Sequence, residues 1–294
     1  MAVFSGPRTP NSRLKNSVSF SFWNPRVLSS LWQDAAGTIP AVVNSEVKRM
    51  DDLSGLGNHM IARTGSRTIN SYTYTFKGPT LRNENTQYYL EFDGDGSGLQ
   101  VNTAAGSWPQ VTGQNSLGIS LSVAFYTNSP QPSLTNTGLA GTWLGTDSLG
   151  NFGGVWFFGL RLNQETMFYA TMRNAENTAW INQWNEGDRY SNLSTSNWLN
   201  QKIIYTVVGN VDNNTFGGKE WINGNKTVDF SNVPFNDTSL LPVNFNKSFV
   251  IGARQPNNDN WIAGRFYGGA MVAKEINDEE RKIIEDMLYI NCFS

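Results

Sequence analysis

Three acidic residues at alternate positions, Glu91, Asp93 and Asp95 in the run Glu91-Phe92-Asp93-Gly94-Asp95, are spaced for chemistry. Successive side chains of an extended strand point to opposite faces, so all three would share one face. Two carboxylates about 5–5.5 Å apart suit a retaining glycosidase, one attacking the anomeric carbon while the other protonates the leaving oxygen. Asp95, however, lies between Gly94 and Gly96, a pattern that reads as a turn. His59 is the lone histidine and sits in the Gly- and Asn-rich stretch 52–59 with no Gly-x-Ser-x-Gly elbow anywhere, so a structural role in a turn is expected of it. Cys292 is the lone cysteine, which leaves no disulfide within the chain and no thiolate cluster. One His and one Cys cannot supply the usual transition-metal ligand sets. Calcium is the ion these residues could hold, through the hard oxygens of Asp93 and Asp95, with Asp51 and Asp52 as further donors; capping of turns by the same side chains is the competing reading. No cofactor is required, no residue is assigned a catalytic role, and the chain is expected to do no chemistry.

Aromatic side chains in polar surroundings suggest binding instead. Trp180 and Trp184 fall in Asn177-Thr178-Ala179-Trp180-Ile181-Asn182-Gln183-Trp184-Asn185, and Trp261 follows Asn257-Asn258-Asp259-Asn260. Flat rings beside amides suit sugar faces and hydroxyls, or a protein interface. The expected ligand-binding set is Trp180, Trp184, Asn185, Asp188, Arg254, Asp259 and Trp261, against the competing reading that each ring is simply buried under its loop.

The elements that must carry these residues are mostly strands. With 39% hydrophobic, 13% aromatic and only 16% charged residues, the 294-residue chain has material for a sizeable core, and 28 glycines among many Asn, Ser and Thr suit short strands joined by tight turns. Leu117, Ile119, Leu121, Val123 and Phe125 alternate with small or polar residues, the period of a half-buried strand. Similar signals recur at 155–162, 167–172, 203–208, 249–251 and 266–273, and a strand is signalled by Val18, Phe20 and Phe22. Residues 27–32 could be a helical turn or a strand. Asn223-Gly224 is a two-residue hairpin turn. One helix is expected at the end, with Asn277 as N-cap, Glu280 completing a capping box, and Ile283, Ile284, Met287 and Leu288 on one face. Residues 1–18 carry Gly6, Pro7, Pro10, Arg8, Arg13 and Lys15 and no acid, which reads as an extended basic assembly arm preceding a single domain over 19–294. A net charge of −2 without a basic stripe argues against nucleic acid, and the lack of an apolar run of 18 residues or of a leader argues against a membrane and for synthesis in a cytoplasm.

Six landmarks carry a family resemblance. Asp52-Leu53-Ser54-Gly55-Leu56-Gly57-Asn58-His59 resembles the Asp-x-Ser-Gly-x-Gly-Asn turn of the concanavalin A-like lectin/glucanase superfamily in its laminin-G-like branch. Leu31-Trp32-Gln33-Asp34-Ala35, Leu90-Glu91-Phe92-Asp93-Gly94, Trp221-Ile222-Asn223-Gly224, Ile251-Gly252 with Phe266-Tyr267-Gly268-Gly269, and Ile276-Asn277-Asp278-Glu279-Glu280-Arg281 are similar to the branch's other landmarks, in order. Met50 departs from it, standing where a Trp is usual. The superfamily's hydrolases end their carboxylate motif with Glu, where this chain has Asp95. The resemblance implies an all-β, antiparallel two-sheet jelly-roll sandwich with a short C-terminal helix. It also implies a binding function such as that of bacteriophage structural proteins: a virion surface protein, decorating the capsid or serving as tail fibre or adhesin. Its expected partners are other virion proteins, a host surface glycan and further copies of itself, without nucleic acid or membrane. A free-standing carbohydrate-binding module is the alternative, and a glycoside hydrolase the next.

Overall fold

The computed structural model describes residues 20–69, 72–101, 116–126, 136–146, 152–162, 166–173, 180–182, 201–212, 215–234, 249–252, 263–272 and 274–294. In chain order the strands are β1 Phe20–Trp23, β2 Leu31–Trp32, β3 Arg49–Met50, β4 Met60–Ala62, β5 Ser66–Ile69, β6 Tyr72–Thr75, β7 Thr80–Glu84, β8 Gln87–Asp93, β9 Leu99–Val101 and β10 Ser116–Tyr126. They continue as β11 Asn136–Thr146, β12 Phe152–Leu162, β13 Thr166–Arg173, β14 Trp180–Asn182, β15 Lys202–Asp212, β16 Thr215–Ile222, β17 Asn225–Pro234, β18 Phe249–Ile251 and β19 Ala263–Val272, and helix α1 spans Asp278–Phe293.

The strands form two antiparallel sheets and a small hairpin. The first sheet runs β17-β16-β15-β10-β19-β8-β7 with β1 also paired to β19, the second runs β14-β13-β12-β11-β18-β9-β4-β3-β2, and β5 pairs with β6. The expected all-β two-sheet sandwich with one C-terminal helix is therefore present. Residues 27–32 turn out to hold both alternatives, a single 3-10 turn at Leu28–Ser30 running into β2. Asn223 and Gly224 take the positive φ of 50° and 80° that the tight β16–β17 hairpin demands.

Strand alternation divides the first sheet into two faces. Val123, Phe125, Ile203, Tyr205, Val207 and Phe266 are buried on the face toward the second sheet, a core that includes Leu31, Met50, Met60 and Leu99. Gly252, after β18, sits there at φ +89° so close to the Phe92 ring that a Cβ would lie 2.3 Å from it, which accounts for the glycine of the Ile251-Gly252 landmark. The opposite face packs under α1. Phe20, Phe22, Tyr89, Ala124, Ile204, Trp221 and Ala270 bury against Ile284, Met287, Leu288 and Cys292 in one cluster. Gly268 lets the helix settle, because a Cβ there would meet Leu288 and the Asn291 amide at 3.2 and 3.3 Å. Burial pushes the Cys292 thiol up to about 12, so it is an inert core group.

Helix α1 starts where the sequence places it. Asn277 Oδ1 accepts from the Glu280 amide at 2.9 Å and Glu280 Oε2 accepts from the Asn277 amide at 3.1 Å, closing the capping box. Inside the helix a buried Arg281–Glu285 ion pair lies under the Arg281 guanidinium's stack on Trp221, 4.6 Å from the ring centre. Asn277→Ala should cost about 1 kcal/mol, read as a shift in the urea midpoint at unchanged slope; a loss of tertiary signal without any midpoint shift would contradict it. Among the described residues no helix is long and apolar enough to cross a membrane. The proposed arm, residues 1–18, lies outside the described residues.

Candidate functional site

The carboxylates singled out by their spacing lie on β8, whose alternation positions them. Leu90 and Phe92 turn into the inter-sheet core, so Tyr89, Glu91 and Asp93 face the other way, on the same outer face that α1 covers farther along. Beyond the helix that face is open, and β7, β8 and β19 form a cleft of about 540 Å³ there. Antiparallel register places Glu91 between Thr80 of β7 and Arg265 of β19. Ala263 and Gly264, both small, line the cleft beside Asp93, and Tyr126 at the end of β10 lines it from the other side.

Charges in the cleft are neutralised in pairs. Arg82 Nε holds Glu91 Oε2 at 2.7 Å and its Nη1 reaches Asn44 Oδ1 at 2.5 Å. Lys77 forms an ion pair with Asp93. Arg265 Nη1 holds Glu84 Oε2 at 2.5 Å, while its guanidinium lies 4.8 Å from the Tyr89 ring centre and 5.0 Å from that of Tyr126. Glu46 Oε1 accepts from the Gly78 amide at 2.7 Å. Burial tends to raise the Asp93 carboxyl, but the hydrogen bond from Lys77, with those from Ser97 and the Asp95 amide, outweighs it and holds Asp93 below the ordinary carboxylate range. The same bond lifts Lys77 above its ordinary value against the opposing pull of burial. Lys77 and Asp93 therefore each favour the charged form of the other, and the paired side chains give the cleft a fixed array of donors and acceptors.

Of the residues proposed from sequence, Glu91 and Asp93 come together here. Asp95 occupies the exposed turn after β8 and donates its amide to Asp93 Oδ1 at 2.8 Å, while Ser97 Oγ donates to the same oxygen at 2.6 Å. Asp93 thus organises its own turn, the capping alternative to calcium ligation, and its carboxylate is already held by Lys77. No cluster of three or more His, Cys, Asp or Glu suited to a metal occurs among the described residues. His59 is placed in the 52–59 turn, with Nδ1 2.9 Å from Asp51 Oδ1 and 3.2 Å from the Asp52 amide; Asp51 also receives Trp32 Nε1 at 2.8 Å and Arg49 Nε at 2.7 Å. Trp184, Asn185, Asp188, Arg254, Asp259 and Trp261 lie outside the described residues, as does the side chain of Trp180. Lys77, Arg82, Arg265 and Tyr126 were not anticipated. Arg265 carried a readable signal, a lone cation entering the otherwise apolar run Phe266–Val272.

No protein-family model and no curated protein matches the chain. Similarity is found among solved structures. An arabinofuranosidase complexed with arabinofuranosyl-α-1,2-xylobiose superposes with a TM-score of 0.53 at 13% identity, over 88% of this chain and 53% of that one. A GH54 α-L-arabinofuranosidase soaked with a cyclic sulfate inhibitor gives 0.51 at 10% identity, over 96% and 60%. A mutant of that type of enzyme soaked with 4-nitrophenyl α-L-arabinofuranoside gives 0.50 at 13%, over 88% and 53%. At these identities the likeness is one of fold, and this chain spans little more than half of each solved chain. The expectation of a chain that does no chemistry is corrected by this finding. It rested on an incomplete carboxylate motif, whereas these three solved structures of similar fold are those of arabinofuranosidases.

Proposed function

We propose that the chain acts on carbohydrate, taking a glycan into the cleft of β7, β8 and β19. The observation that carries this reading is the cleft's composition: paired Arg82–Glu91 and Lys77–Asp93 groups fixed beside the Tyr126 ring. Sugars offer vicinal hydroxyls that both donate and accept, and a weakly polar C–H face that packs on aromatic rings, so such a surface matches them in both respects. The sandwich of arabinofuranosidases supports the reading at the level of fold. The six landmarks support assigning the sandwich to the concanavalin A-like superfamily. Placement on a virion surface rests on that resemblance, and cryo-EM of purified particles with mass spectrometry of their proteins would test it.

A second reading, hydrolysis, is favoured by Glu91 and Asp93 standing two residues apart on one face of β8. Asp93, kept ionised, would attack the anomeric carbon as Glu91, having taken up a proton from solvent once Arg82 has let it go, protonates the leaving oxygen. Water, giving its proton back to Glu91, would then displace Asp93, so one water is consumed per bond cleaved. Lys77 and Arg82 must first release these carboxylates. Titration calorimetry with arabinoxylan oligosaccharides should show binding that weakens by more than about 1 kcal/mol in Arg265→Ala, the level that separates anchors from bystanders. Equal affinity of the variant would remove the cleft from the account. Reducing-sugar release that disappears in both Asp93→Asn and Glu91→Gln would establish hydrolysis at this site, and release that persists in both would exclude it.

A further inference from the structure

We infer that the ligand of this cleft is an uncharged saccharide, not an acidic one; the inference rests on the glycan reading and narrows it. Three cations, Lys77, Arg82 and Arg265, and three carboxylates, Glu46, Glu91 and Asp93, line the cleft, so their formal charges cancel. Each cation already has a carboxylate of this chain: Asp93 for Lys77, Glu91 for Arg82 and, from the rim, Glu84 for Arg265. Glu46 spends one oxygen on the Gly78 amide and keeps the other 3.7 Å from Lys48. A uronic acid entering here would have to take a cation from one of these partners. The displaced Glu or Asp would then stand partly desolvated beside a second negative charge, the arrangement that destabilises paired carboxylates.

A neutral diol needs no such exchange. A carboxylate offers about four lone-pair positions and a guanidinium five N–H donors, so each ion pair retains free sites on both partners. One sugar hydroxyl can donate to Glu91 or Asp93 while accepting from Arg82 or Lys77, and the pairs remain closed throughout. Arg265 cannot readily swing out to recruit an anion, because its guanidinium is sandwiched against Tyr89 and Tyr126 and tied to Glu84. Selection against acidic sugars is then built from unfavourable displacement, and selection for neutral ones from unbroken pairs.

The experiment uses the full chain and two matched probes, a neutral arabinoxylan oligosaccharide and a glucuronic acid-substituted xylan oligosaccharide, at about 20 mM and about 300 mM salt. The neutral probe should bind with a Kd that changes by less than about twofold with salt, and the acidic probe should bind at least about tenfold more weakly. In Glu91→Gln, where Arg82 loses its carboxylate, the acidic probe should gain at least about tenfold, and this gain should vanish at the higher salt. A gain of binding cannot come from misfolding. Tighter binding of the acidic probe to the wild type, falling steeply with salt, would overturn the inference and keep the cleft as a glycan site. Binding of neither probe would remove the glycan reading itself, and the inference with it.

Discussion

Asp52→Ala should destabilise the protein by on the order of 3–5 kcal/mol, although the residue does not line the cleft. Its carboxylate is the knot between the two sheets. Oδ1 accepts from the Phe22 amide of β1 at 3.0 Å and the Ser54 amide at 2.9 Å, while Oδ2 accepts from Ser54 Oγ at 2.6 Å and the Asn58 amide at 3.2 Å. Asn58 continues the link, donating its side-chain amide to Ser21 Oγ at 2.7 Å and accepting from Trp23 Nε1 at 3.0 Å. Since β1 belongs to the first sheet and the 52–59 turn joins β3 to β4 of the second, these bonds tie the layers at one corner. Asp52 is 6% exposed and Asn58 1%, so water cannot replace the lost acceptor, and each buried donor left without a partner costs about 1–3 kcal/mol. Asp52→Asn keeps Oδ1 but turns an N–H donor toward the Asn58 amide, and should fall between wild type and alanine. Urea denaturation of the three proteins at one pH is the measurement. A loss below about 1 kcal/mol in Asp52→Ala would show that the turn is held by its backbone alone.

What could be read from sequence follows from the range of the forces involved. The β10 alternation, the Asn223-Gly224 turn and the Asn277–Glu280 capping box are local, each set by neighbours within a few residues, and each appears where its pattern placed it. Short strands such as β2, β3 and β4 have almost no period to detect. They exist because the 52–59 turn and partner strands such as β9 hold them. The cleft was half legible for the same reason. Glu91 and Asp93 are two residues apart, and strand periodicity alone brings them to one face. Lys77 and Arg82 come from the stretch into and along β7, Tyr126 from β10 and Arg265 from β19, and only the order β10-β19-β8-β7 brings them beside those carboxylates. Asp95 shows the limit of periodicity: glycines at 94 and 96, with φ of 75° and 90°, end the strand before its third acidic position can share the face.

Glu220→Gln should remove one part of the pH dependence of stability, a loss that wild type suffers as pH rises. Glu220 lies on β16 opposite Val207, 1% exposed, among the apolar side chains between the sheets. Burial penalises its charged form and pushes the carboxyl up to about 8 from an ordinary 4.5, against a weaker opposing hydrogen bond from Tyr205. Near pH 6 the folded protein therefore keeps a proton there that the unfolded chain has released. Because the folded pKa is the raised one, the neutral side chain's contribution is complete below about pH 4.5 and is lost as pH rises toward 8, by about 1.4 kcal/mol per unit. Above that the loss is constant, at a few kcal/mol. Glutamine matches the neutral acid in shape and never ionises. At pH 5 the variant and wild type should differ by no more than about 1 kcal/mol, and by pH 8 to 9 the variant should be the more stable by a few kcal/mol. The quantity to follow is the difference between their urea unfolding free energies from pH 5 to 9, in which every other titrating group cancels. A difference that stays flat across that range would mean the Glu220 carboxyl ionises in the folded protein as readily as in the unfolded chain.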